Sequence, residues 1–138
     1  MKFVTKNLTY FAVVATALTF AFRFALSAML AKESDIYFVP AIFYSLSMFA
    51  AGWYFGYKDG RDLPIYDVGF RFHLATYIQY FVATGVVFLL GYNAEVEKWE
   101  NKLITALVWG FFLAVHFVFY LIYRKRTIDG LKKEDLFD

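Results

Sequence analysis

Cysteine is absent from the 138 residues of this chain. Its absence excludes disulfide scaffolds, thiol catalysis, cysteine-ligated zinc or iron–sulfur centres and CxxC redox chemistry. A large excess of either charge is lacking as well, because the formal net charge is only +2. A balance this close to neutral gives no indication of a nucleic-acid partner, and none is expected.

Charged residues as a group are sparse, at 19% of the sequence, and they stand in short clusters separated by long uncharged runs. Hydrophobic residues make up 61% of the chain, against roughly 45–50% in an ordinary soluble domain. Aromatic residues alone account for 23%. This composition is typical of an integral membrane protein whose first partner is the lipid bilayer.

Four apolar runs are long enough to cross a hydrocarbon layer of about 30 Å, which takes about 20 helical residues. Helices are expected rather than a barrel, because backbone groups must be paired in lipid and the runs show no period-two alternation. The connections are too short to hold a further domain. The sequence therefore predicts one all-α transmembrane domain, an antiparallel up-down-up-down four-helix bundle over 1–138, with spans at 8–31, 37–57, 70–92 and 103–123 and a short tail at 124–138.

Lysine and arginine are distributed unevenly between the two sides of this bundle. Ten lie beside the termini and the loop between the second and third spans, three lie on the other side, and Arg23 lies within a span. Cytoplasmic loops retain these residues, so both termini and the tail are predicted to be cytoplasmic.

The first span carries a polar stripe that is predicted to face the inside of the bundle. Its members recur at steps of three and four residues and so share one helical face: Thr9, Ala12, Thr16, Thr19, Arg23 and Ser27. Arg23 falls in the outer half of the membrane, where an unpaired charge is costly. The alternatives are that it reaches the outer interface or backbone carbonyls, binds an anion, or forms an ion pair with Glu33, Asp35 or Glu95.

Small residues mark two further helix faces. The second span contains Gly52 and Gly56 in a GxxxG arrangement, and the fourth contains Ala106, Gly110 and Ala114 at four-residue spacing. Small residues let helix backbones approach closely in lipid, so both faces are predicted to contact other helices.

The two histidines, His73 and His116, fall in the third and fourth spans. At 1.5 Å per residue they lie about 4–5 Å and about 10 Å from the cytoplasmic interface, so neighbouring antiparallel helices could bring them into one site. Imidazole can ligate a metal or haem iron, carry a proton, or hydrogen-bond across helices. Two histidines are an incomplete metal set, with Tyr77, Gln79 and Arg71 as the further polar residues proposed for this pocket. Arg71, like Arg23, is also a candidate for an anion site or an ion pair. A structural role is favoured, and a haem or metal is not expected.

The residues around these histidines resemble a known family. Phe70, His73, Leu74 and Tyr77 match an F-x-x-H-L-x-x-Y signature, and the second signature, W-G-x-x-L-A-x-H, is matched by Trp109, Gly110, Leu113, Ala114 and His116. Both are similar to the bacterial two-transmembrane-helix (2TM) domain, over the third and fourth spans only. In that family the helix pair occurs alone or attached to signalling proteins such as sensor kinases, and no general biochemical activity is established for it. The resemblance implies a bacterial cytoplasmic (inner) membrane.

No nucleophile–base pair, paired carboxylates or phosphate-binding loop can be assembled, so no catalytic residue is proposed and an enzyme is not favoured. The leading hypothesis is a small integral-membrane interaction module, an accessory or sensory subunit that is oligomeric or bound to a larger membrane partner. The first alternative is a haem-, metal- or quinone-binding membrane protein that uses His73 and His116. The second is a small anion transporter or pore that uses Arg23.

Overall fold

A computed structural model of the chain describes residues 4–36 and 38–129. Four α-helices follow one another in this part of the chain: α1 over Lys6–Ala31, α2 over Val39–Asp59, α3 over Ile65–Leu89 and α4 over Trp99–Asp129. The prediction of an all-α chain with four helices is therefore confirmed. Tyr37, where the second span was predicted to begin, and 130–138 of the predicted tail lie outside the described residues.

Three of the helices, α1, α3 and α4, are long and apolar enough to cross a membrane. The helix α2 is also 21 residues long, but it is not among these three. The three apolar helices indicate an integral membrane protein in contact with a lipid bilayer.

The helices differ from the predicted spans mainly at their ends. The third begins at Ile65 rather than at 70, directly after Pro64, whose missing N–H is not needed at a helix start. It ends at Leu89 rather than at 92, because Gly91 takes the left-handed conformation, with φ at 71°, that terminates helices. The fourth extends from Trp99 to Asp129, beyond the apolar run at both ends, since charged residues also form helix once outside lipid.

At the α2–α3 loop, the end of α2 is tied to the start of α1 by side-chain hydrogen bonds. Thr5 caps α1 by accepting a hydrogen bond from the Leu8 N–H at 3.0 Å, and its own hydroxyl donates to the Asp59 carboxylate. Asn7 donates to the other Asp59 oxygen at 2.7 Å. Asp59 is buried, so these donors satisfy a carboxylate that would otherwise be costly to bury.

The apolar core lies between α1, α2 and α3. It is centred on Leu8, Phe11 and Ala15 of α1 and on Val68 and Phe72 of α3. The helix α1 packs against both α2 and α3, whereas α4 packs against α3 alone in the described part of the chain. Three helices therefore form the core, and α4 lies along the outside of α3.

The polar stripe of α1 is only partly internal. Thr19, Arg23 and Ser27 are buried as predicted. In the first half of the helix the prediction is wrong, because Leu8, Phe11 and Ala15 take the buried positions instead of Thr9, Ala12 and Thr16. The two threonine hydroxyls each donate to the backbone carbonyl four residues earlier and thus need no internal partner.

The glycines of the two small-residue faces meet other helices. A β-carbon at Gly52 would lie 3.9 Å from the Phe11 ring, and one at Gly56 would lie 3.7 Å from Val68. At Gly110 it would lie only 3.2 Å from the Tyr77 hydroxyl, so this glycine makes the tightest approach of the three.

Candidate functional site

His73 and His116 face each other across the α3–α4 contact, with ring centroids 4.5 Å apart and planes tilted by 42°. Aromatic pairs on both sides set this register. Phe70 lies 5.2 Å from Phe117, and Tyr77 lies 6.0 Å from Trp109, between ring centroids. The structure thus brings together the two histidines that the sequence assigned to neighbouring helices.

Each imidazole is also held by its own helix. A ring nitrogen of His116, Nδ1, lies 3.1 Å from the Phe112 carbonyl, and the His73 ring bonds to the backbone of Gly69, one turn earlier. Both histidines are nevertheless exposed on the surface of the chain. One nitrogen of each ring is therefore engaged within its helix.

An open groove of about 410 Å³ runs beside His73. Residues from all four helices line it: Phe11, Met48, Phe49, Gly52, Trp53, Phe72, His73, Thr76 and Trp109. A second groove of about 420 Å³, towards the α2–α3 loop, shares Gly52 and Trp53 with the first. In the described part of the chain α2 and α4 both pack against α3 but not against each other, which leaves the groove beside His73 open between them.

The other residues proposed for the histidine pocket lie in three different places. The Tyr77 hydroxyl donates to the Ala106 carbonyl at 3.2 Å, one turn along α3 from His73. Gln79 lies beside Tyr44 of α2, on the core side of α3, because it is not on the helical face that carries His73. Arg71 donates to the Asp67 carboxylate through Nε at 2.9 Å, within α3.

These placements define what the histidine site offers chemically. Among the described residues, no group of three or more histidine, cysteine, aspartate or glutamate side chains could hold a metal ion. The chain itself supplies two imidazoles, with a tyrosine nearby whose hydroxyl is already engaged.

At the α3–α4 loop, Glu97 is surrounded by donors, and we call this group the Glu97 cluster: Glu97, Arg23, Ser27 and Lys102. Arg23 Nη2 donates to Glu97 Oε2 and Ser27 Oγ donates to Glu97 Oε1, each at 2.6 Å. Lys102 Nζ lies 3.1 Å from Glu97 Oε2. Burial by itself raises the pKa of Glu97, but the hydrogen bonds from Ser27, Arg23 and Lys102 outweigh it and lower the pKa to about 2.

The partner of Arg23 corrects the sequence-based choice of Glu33, Asp35 or Glu95. The ion pair is made by Glu97, because a turn in which the Glu97 N–H donates to the Ala94 carbonyl at 2.9 Å folds this side chain inward. Glu95, two residues earlier, is exposed. No carboxylate lies inside the predicted spans, and Glu97 enters the core from a loop. The sequence pattern of the spans therefore does not indicate this contact.

No family model, no curated protein and no solved structure matches this chain. The resemblance of α3 and α4 to the 2TM domain thus stays a prediction. What the fold defines is a class: a small α-helical membrane protein with a buried ion pair near one loop and an exposed histidine pair on α3 and α4.

Proposed function

We propose that this protein is a small integral-membrane interaction module, an accessory or sensory subunit that docks through the α3–α4 surface around His73 and His116. All four helices would cross the membrane as an antiparallel bundle with both termini in the cytoplasm. The Lys and Arg distribution supports this orientation, and the resemblance to the 2TM domain supports a bacterial inner membrane.

The observation that carries the proposal is the exposed histidine pair. Among the described residues, none of the most apolar part of α4 is buried, and this helix packs against α3 alone. Exposed aliphatic and aromatic side chains are favourable in contact with lipid and do not by themselves indicate a protein partner. Two imidazoles are different, because a polar group that faces hydrocarbon is costly unless a partner satisfies it. A second membrane segment that packs on this surface would supply that partner.

Photo-crosslinking tests this docking surface. We would place p-benzoylphenylalanine at Phe112, one turn before His116 and exposed, and in a matched control at Val118, which is also exposed and faces the other side of α4. In native membranes, the probe at 112 is expected to form an adduct of higher mass, either with a second copy or with another membrane protein, and the probe at 118 is not. Equal labelling at both positions, or a monomer without adducts at 112, would contradict the proposal.

A second candidate function is favoured by the juxtaposition of the two rings beside an open groove. In this alternative, His73 and His116 bind haem, a metal ion or a quinone whose apolar part lies in the groove. The wild-type protein would then be purified with a haem spectrum, with bound metal or with extractable quinone. The double variant His73→Ala/His116→Ala should lose that component, while Tyr77→Phe should keep it. A colourless protein without metal or quinone would rule this function out.

A further inference from the structure

Arg23 is fully buried, yet most of its hydrogen-bonding capacity is unused within the described residues. Nη2 donates to Glu97, whereas Nε and Nη1 have no partner there. Nε carries one N–H group and Nη1 carries two. Buried donors without a partner are rare in folded proteins and point to a ligand or water that completes the site.

A second buried polar atom without a hydrogen bond of normal geometry lies at the same level on α3. Thr84 is 1% exposed, and its hydroxyl makes no hydrogen bond of normal geometry in the described chain, although it interacts with the Tyr80 hydroxyl. The helices α1 and α3 run parallel, and Phe11 of α1 packs against Phe72 of α3, with ring centroids 4.8 Å apart. Arg23 follows Phe11 by the same number of residues as Thr84 follows Phe72, so Arg23 and Thr84 lie at the same level. Tyr80, one turn earlier on α3, interacts electrostatically with Arg23 and faces Thr84.

The charges of this region leave one positive charge in excess. Arg23 and Lys102 are cations, and Glu97 is the single carboxylate that contacts them both. The unused groups at this level are N–H donors of Arg23 and a hydroxyl, which also donates. A surplus of donors and of positive charge in a buried site favours an anion over a neutral acceptor.

We infer that the Nη1 end of the Arg23 guanidinium, together with the Thr84 and Tyr80 hydroxyls, binds a small monovalent anion of halide size. Arg23 then bridges two anionic partners, the Glu97 carboxylate and the bound ion. The site requires no transport of the ion and does not depend on docking at the histidine surface.

Bromide is the probe that tests this site, because it is located by anomalous diffraction. Crystals of the wild-type protein grown in sodium bromide are expected to show an anomalous peak beside Arg23 Nη1. In detergent solution, chloride or bromide should raise Tm in a saturable manner relative to gluconate at equal ionic strength. Water density alone at Arg23, together with identical Tm values in halide and gluconate, would overturn the inference.

The variant Thr84→Val separates the anion site from general stability, because it removes one hydroxyl and keeps the side-chain shape. A hydrogen bond to a charged partner contributes roughly 1.5–3 kcal/mol, so the halide concentration that gives half of the Tm increase should rise about tenfold or more. The control Thr105→Val removes an exposed hydroxyl that bonds only locally, to Asn101, and should leave that concentration unchanged. An unchanged halide response in Thr84→Val would exclude Thr84 from the site.

Discussion

Replacing Glu97 by glutamine is expected to lower the free energy of unfolding by about 3–5 kcal/mol, the range found when one partner of a buried ion pair is removed. Glutamine has nearly the shape of glutamate, but it leaves the Arg23 charge fully buried without its carboxylate partner. The measurement is unfolding of the purified protein in mixed detergent and dodecyl sulfate, followed by circular dichroism.

The control for this change lies in the same loop. Glu95→Gln alters an exposed carboxylate and should shift the free energy of unfolding by less than about 0.5 kcal/mol. The double variant Arg23→Met/Glu97→Leu removes both charges and should be more stable than Glu97→Gln, since neither partner is left buried alone. A Glu97→Gln protein as stable as Glu95→Gln would refute a structural role for the ion pair.

The same ion pair predicts how stability depends on pH. The pKa of Glu97 lies at about 2 in the folded protein, below its ordinary value of 4.5. The folded state therefore holds the ionised form more strongly than the unfolded state does, and this stabilisation is complete above pH 4.5 and is lost as the pH falls towards 2. Unfolding curves between these pH values should show the loss in the wild type and a smaller slope in Glu97→Gln.

The second large effect is expected at the centre of the apolar core. Replacing Phe11 by alanine should cost about 3–5 kcal/mol, because the residue is almost fully buried and the cavity left behind cannot be filled by its neighbours. Phe11 is 2% exposed, and its ring packs against Phe72 and close to Gly52. Unfolding in the same detergent mixture measures the change.

Phe43→Ala is the matched control for Phe11→Ala. Phe43 is 68% exposed and contributes to the outer surface of α2, so its removal leaves no internal cavity. Its effect on the free energy of unfolding should be less than about 1 kcal/mol. Equal losses in the two variants would show that the centre of packing does not lie at Phe11.

Several parts of this architecture could be predicted from sequence for clear physical reasons. The helices follow from the length of the apolar runs, and the contact of His73 with His116 follows from their similar depth on neighbouring antiparallel helices. Gln79 shows the limit of depth alone, since it lies near the level of the histidines but on another face of α3, beside Tyr44. Which residues become neighbours depends on the helical face that carries them as well as on their depth in the membrane.

Contacts made by loops and helix ends could not be predicted in the same way. The choice of Glu97 over Glu95 depends on one turn at Ala94, and the bonds from Thr5 and Asn7 to Asp59 depend on how α1 meets the end of α2. Neither has a periodic signal in the sequence. The burial of Leu8, Phe11 and Ala15 is not predicted by the polar stripe of α1. A threonine hydroxyl can be satisfied within its own helix, so threonine need not face the inside of the bundle.

The ion pair also bears on how the protein is made. Arg23 and Glu97 are separated by 74 positions in the chain, so α1 is synthesised long before its counter-charge. A lone arginine at the centre of a helix costs about 2.5–3.5 kcal/mol on insertion scales, and the apolar residues of α1 must offset that cost during biogenesis. Pairing comes only when the loop before α4 has emerged. Closure of the Arg23–Glu97 contact thus coincides with arrival of the last hairpin, and chains truncated before Glu97 carry an arginine without its carboxylate partner.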